Sequence, residues 1–172
     1  MSLSIHDASV PVLARALTNV IGIVDKGRLY AESEKIEPAV LLGMRLYPNM
    51  FAFTRQVQVV SDTAKGCIAR LAAVEPPKYP DTETSFDELK QRVEKTLAFV
   101  NGVKPQQLEG ADSRPVVLKF PTNTLSFKNG FDYLFSFVLP NVYFHSATAY
   151  DILRHGGVKL AKSDFLGSIG VG

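Results

Sequence analysis

Residues 130–156 read GFDYLFSFVLPNVYFHSATAYDILRHG. The stretch predicts one long helix that is apolar on almost every side of its first half. At ~1.5 Å per residue it would span roughly 40 Å. It carries Tyr133, Phe135, Phe137, Tyr143, Phe144 and Tyr150, a large share of the aromatic residues. A helix that is apolar all round is either central in a bundle or lies in a membrane. Asp132, Pro140, Asn141, His145, Asp151 and Arg154 interrupt the run, so no stretch of ~20 apolar residues exists. The stretch is therefore read as the central helix of a soluble bundle.

The rest of the chain supplies partners for it. Asp7 or Ser9 caps a first helix over 7–34, with Pro11 in its first turn, where a missing N–H matters little. Its seam is Leu13, Leu17, Val20 and Val24, at alternating steps of four and three. Pro38 opens a short helical turn. A second long helix is expected over 48–73, with Met50, Phe53, Val57, Val60, Ala64, Cys67 or Ile68, and Leu71 as its seam. Pro76, Pro77 and Pro80 then mark an extended connection. Thr84 with Asp87 resembles a capping box before a third long helix, which ends at Gly102. The runs RPVVLKF and LSFK flank a Pro/Asn turn and predict a small hairpin at 114–128. The expected fold is all-α: a single domain over 1–172, an antiparallel four-helix bundle with a β-hairpin before the last helix. The weakly periodic tail is expected to be flexible from about residue 165.

Composition narrows the function classes. A net charge of +2 with no Lys/Arg cluster argues against a nucleic-acid surface. The single Cys67 rules out an intrachain disulfide and fits a reducing, cytoplasmic location. MSLSIHDASV has neither a basic n-region nor an apolar h-region, so no signal peptide and no membrane association are expected. No phosphate-loop, dinucleotide, zinc-finger, HExxH or GxSxG pattern occurs.

His145 is the leading candidate side chain. Asn141 lies four residues before it and Thr148 three after, so the three share a face with Leu134, Phe137 and Ile152. A polar triplet on an apolar stripe must find partners inside the bundle or line a pocket. His145 is thus either a hydrogen-bonded buried histidine or a ligand-pocket residue and candidate general base. Pro140 frees the carbonyl of Ser136 and bends the helix one residue before Asn141. His155 before Gly156 and Gly157 reads as a helix end, His6 as a surface residue and Cys67 as a core thiol. Arg55, Gln58, Asp62 and Lys65 form a polar strip that is either a solvated face or, through Gln58 and Arg55, turned toward His145.

The phrases YPNMFAFTRQVQVVSDTAKG, LPNVYFHSATAYDILRHGGV and KSDFLG carry a resemblance that covers nearly the whole chain. It is similar to the DinB/YfiT-like superfamily, and within it to a bacterial branch known as a domain of unknown function. The superfamily implies a four-helix bundle, often dimeric, with a divalent metal held by three histidines. One comes from the second helix and two from an HxxxH pair on the last. Metal-dependent thiol transferases and hydrolases belong to it. The match places His145 at the second histidine of the pair, Asn141 at the first, and Gln58 at the ligand of the second helix. Two of three ligands would then be carboxamides, and an amide oxygen is a poor ligand for Zn²⁺ or Ni²⁺. No cofactor is therefore expected. A weak divalent site, if formed, would use His145 with Asn141, Gln58 or Asp62. Three function classes follow. The first is a binder of a small polar or amphiphilic molecule near His145, using Gln58, Asn141, His145, Arg55 and Thr148. The second is an enzyme, either with a modified or metal-free site using His145 as general base or a metal-dependent thiol transferase or hydrolase, and the third a dimeric interaction protein without catalysis. A homodimer is expected from the resemblance.

Overall fold

A computed structural model describes residues 3–168. Four long helices form the bundle: α1 (Ile5–Ser33), α3 (Phe53–Leu71), α4 (Phe86–Asn101) and α6 (Leu139–His155). Short helices α2 (Pro38–Gly43), α5 (Gly130–Tyr133) and α7 (Lys162–Leu166) join or flank them. Strands β1 (Val116–Lys119) and β2 (Thr124–Phe127) pair antiparallel, with Val116 opposite Phe127 and Lys119 opposite Thr124. The hairpin stands directly before the last helical stretch, as the Pro/Asn turn predicts. Its alternation buries Val116 and Leu118.

Contacts between the long helices fix their directions. Lys90 pairs with Asp25 and Arg28 with Asp87, so α1 and α4 run antiparallel. Gln56 meets His145 and Thr63 meets Asn141, so α3 and α6 are antiparallel too. Phe53 packs on Phe86 and Ser61 bonds Thr96, so α3 and α4 run the same way. The segment between them must then return along the whole bundle. A 19-residue helix is about 28 Å long, within reach of the extended Pro-rich segment 72–85. That crossover lies against α3 and α4 and decides where the polar strip of α3 ends up.

The buried seams agree with the heptad reading: Leu13, Leu17, Val20 and Val24 on α1; Phe53, Val57, Val60, Ala64, Cys67, Ile68 and Leu71 on α3; Leu89, Val93 and Val100 on α4. By length and apolar composition α1 would also suffice to cross a bilayer. In the bundle its seam residues are core.

Several expectations are corrected. α3 begins at Phe53 rather than Pro48, because residues 44–52 form a turn in which the Phe53 N–H reaches Met44 O at 2.8 Å. Met50 therefore precedes the seam. The α4 capping box is Ser85 with Glu88, one residue later than Thr84 with Asp87. Glutamate has the reach to bond back to the backbone N–H of Ser85, and it also takes the N–H of Thr84. The last helix is not apolar-buried all round: Phe135, Tyr143 and Phe144 are exposed, while Leu134, Val138, Val142, Ala149 and Leu153 fill the core. Phe165 and Leu166 belong to a helix seated on α1, where Asn19 donates to Phe165 O and Lys26 pairs with Asp164. The expected flexible tail is thus a packed element up to there, and its last residues, 169–172, lie outside the described residues.

The break at Pro140 takes a defined form. Leu134–Val138 is a π-helical turn, with the Leu139 N–H bonded to Leu134 O, five residues back. Proline lacks an N–H and crowds the carbonyl four residues before it. Widening the preceding turn relieves that crowding, and Ser136 satisfies its hydroxyl on Asp132. At the other end, Gly157 adopts φ +99°, where a Cβ would strike the Tyr30 hydroxyl. This is the left-handed residue that closes the helix after His155.

Candidate functional site

His145 projects from α6 toward the start of α3. Its Nδ1 lies 2.6 Å from Gln56 Oε1. The carboxamide of Gln56 is itself oriented, because its Nε2 donates to Phe51 O at 3.0 Å. Oε1 must then be the acceptor, so Nδ1 carries the proton and Nε2 keeps its lone pair. Among the described residues no side chain takes that second nitrogen. Burial, and next the positive charge of Arg55, hold the imidazole pKa below its ordinary 6.5. Both disfavour the protonated ring.

Two aromatic rings flank the imidazole. Phe51 stacks at 6.3 Å with planes 22° apart, and Phe144 meets it edge-on at 5.1 Å and 88°. Both are about half exposed, at 51% and 57%. The Arg55 guanidinium lies 5.7 Å from the Phe51 ring centroid. The result is a half-buried hydrogen-bond acceptor between two accessible aromatic walls, with a cation at the edge.

The other expected site residues divide between different neighbourhoods. Asn141 is part-buried, and its Nδ2 donates to Thr63 Oγ1 at 3.0 Å. Thr148 is buried but returns its hydroxyl to Phe144 O at 2.8 Å. Gln58 does not join His145: its Nε2 donates to Glu83 Oε2 at 2.8 Å, and its Oε1 accepts from Arg55 at 3.2 Å. Gln56 occupies the place assigned to Gln58. Two residues along a helix are about 200° apart, so the two amides cannot face the same neighbour. Asp62 pairs with Lys65 and Arg92, away from His145.

The polar strip of α3 therefore divides: Arg55 stands at the edge of the histidine site, while Gln58, Asp62 and Lys65 turn to the crossover. Gln58 and Lys65 are buried beneath the crossover. Arg92, itself buried, bonds Asp62 at 2.8 Å, Asp81 at 2.9 Å, Glu83 at 2.9 Å and Pro80 O at 3.0 Å. The Lys65 ammonium lies 4.8 Å from the Tyr79 ring centroid. This network fastens the returning segment to α3 and α4. Buried Cys67 is a core thiol, its pKa pushed up by desolvation.

Sequence reasoning missed Gln56, Phe51 and Thr63. Gln56 lies three residues after Phe53 and four before Val60, so its place beside the seam was in the spacing. It also missed a cavity on another side of α6. This space of about 280 Å³ lies between α1, α6 and α7 and is lined by Val20, Ile23, Tyr143, Ser146 and Phe165, among others.

Taken together, the four long helices and the hairpin define an α-helical bundle with a small β-hairpin before its last helix. Its structure is similar to the crystal structure of a DinB family member protein from Shewanella denitrificans. The TM-score is 0.87 at 35% sequence identity, over 97% of this chain and 94% of that one. Residues 5–166 match the model of the domain of unknown function DUF1993, and the chain belongs to that family.

Proposed function

We propose that this DinB-like protein binds a small polar or amphiphilic molecule through His145, in a cytoplasmic setting and without a resident transition metal. The observation that carries the reading is the relay from Phe51 O through Gln56 to His145. It places a proton on Nδ1, so that in the neutral imidazole Nε2 is left to accept a hydrogen bond. Phe51 and Phe144 offer apolar contact on either side, which suits a ring or short apolar group bearing an O–H or N–H donor.

The tri-histidine metal that the superfamily implies is a poor match to these donors. Gln56 spends both ends of its amide on Phe51 and His145, and Asn141 is held by Thr63. One imidazole with two engaged carboxamides provides too little basic donor density to strip the hydration of Zn²⁺. Among the described residues no group of three or more His, Cys, Asp and Glu side chains is arranged to hold a metal ion. The same free Nε2 also favours a second reading, His145 as general base in a metal-independent reaction.

The test is an NMR titration with phenol, and with toluene as the control lacking a donor. Phenol is expected to shift the His145 and Phe51 ring signals, with toluene much weaker. Equal responses to both, or stoichiometric submicromolar Zn²⁺ binding through His145, would contradict the proposal.

A further inference from the structure

Ser146 follows His145 on α6 but faces the cavity between α1, α6 and α7. It is 3% exposed, and its hydroxyl has no hydrogen-bond partner among the described residues. Among the described residues five serine and threonine side chains are buried: Ser9, Ser61, Thr96, Ser146 and Thr148. The other four are all bonded: Ser9 to Ile5 O, Ser61 to Thr96, Thr96 to Arg92 O, and Thr148 to Phe144 O. A serine in a helix can satisfy itself on the carbonyl four residues back. Ser146 does not, and an unmatched buried hydroxyl is unfavourable unless something else meets it.

The space beside it has a defined character. Val12, Ala16, Val20 and Ile23 of α1, with Phe165 and Leu166 of α7, make its walls apolar. Arg15 lies at the rim, exposed and without an ion pair among the described residues. Asn19, also at the rim, is occupied in holding α7 through Phe165 O. At ~30 Å³ per water-sized group, 280 Å³ holds roughly nine such groups. That suits a short hydrocarbon chain with a polar head rather than a lone water or a long lipid.

We infer that this cavity is a second binding site, separate from His145, for a small amphiphilic carboxylate. The apolar body lies between α1 and α6, the carboxylate meets the Arg15 guanidinium, and Ser146 Oγ bonds an oxygen of the ligand. The guanidinium selects the anion, because a charge-assisted bond to carboxylate is stronger than one to a neutral hydroxyl. The docked α7 forms one wall, so binding also holds that helix in place.

The test is calorimetric titration of the full chain with octanoate and with octan-1-ol. Octanoate is expected to bind one per chain, about tenfold tighter than the alcohol. Arg15→Gln, at an exposed position that should not disturb folding, is expected to remove that difference. Ser146→Leu, which fills the cavity, is expected to abolish binding of both. The inference is overturned if octanoate fails to bind up to the millimolar range. It is also overturned if Arg15→Gln leaves the preference for the anion intact.

Discussion

His145 Nδ1 and Gln56 Oε1 lie 2.6 Å apart and join the middle of α6 to the first turn of α3. The bond is the middle link of a chain that starts at the carbonyl of Phe51. Replacing Gln56 by Leu removes both links while keeping most of the volume. Phe51 O and the imidazole N–H would lose their partners. Urea denaturation at neutral pH is expected to show a loss of about 1–3 kcal/mol. A neutral result would mean that the two groups are better solvated than their burial implies.

Stability should depend on pH through the same residue. Burial and Arg55 lower the imidazole pKa in the folded state, below the ordinary 6.5 of the unfolded chain. Between those two values the unfolded chain binds more protons. The contribution is therefore complete above 6.5 and is lost as pH falls through the lowered folded value. The denaturation midpoint should drop on acidification across that window, and the drop should shrink in His145→Gln.

The register of α3 against α6 can be tested with metal. Gln56→His combined with Asn141→His would set three imidazoles along facing helices. Gln58→His with Asn141→His would not, because position 58 points to the crossover. Zn²⁺ titration is expected to give at least about tenfold tighter binding to the first pair. Equal affinities would show that Gln58 can turn toward His145.

Arg92 bridges three carboxylates from α3 and the crossover. Arg92→Met leaves Asp62, Asp81 and Glu83 to repel one another. Because Asp62 and Asp81 are partly exposed, solvent will soften the effect, and a loss of about 2–4 kcal/mol is expected. Protease cleavage between residues 74 and 84 should rise with it, as the crossover detaches.

Most of the fold was readable because it rests on periodicity. Leu13, Leu17, Val20 and Val24 recur as a helix seam must, and Pro76, Pro77 and Pro80 leave little choice but an extended link. What that link would cover was not readable. A strip such as Arg55, Gln58, Asp62 and Lys65 has the spacing of a wet helix face, and only the return of the chain along α3 and α4 buries Gln58 and Lys65. The candidate site was half visible. His145 stood out as a polar group on an apolar stripe, but its partner depends on rotation of α3. A choice between Gln56 and Gln58 needs an angle that spacing to the seam only partly supplies. Ser146 gave no signal, since a serine in a helix ordinarily bonds its own backbone.

Ligand binding at this site depends on which nitrogen of His145 carries the proton. Long-range ¹H–¹⁵N NMR of the imidazole at neutral pH reads this directly. The expected result is a neutral ring with the proton on Nδ1 and a bare Nε2, unchanged by equimolar Zn²⁺ and changed in tautomer balance by Gln56→Leu. A ring protonated on Nε2, a doubly protonated ring, or a Zn²⁺-dependent shift of Nε2 at equimolar metal would contradict it.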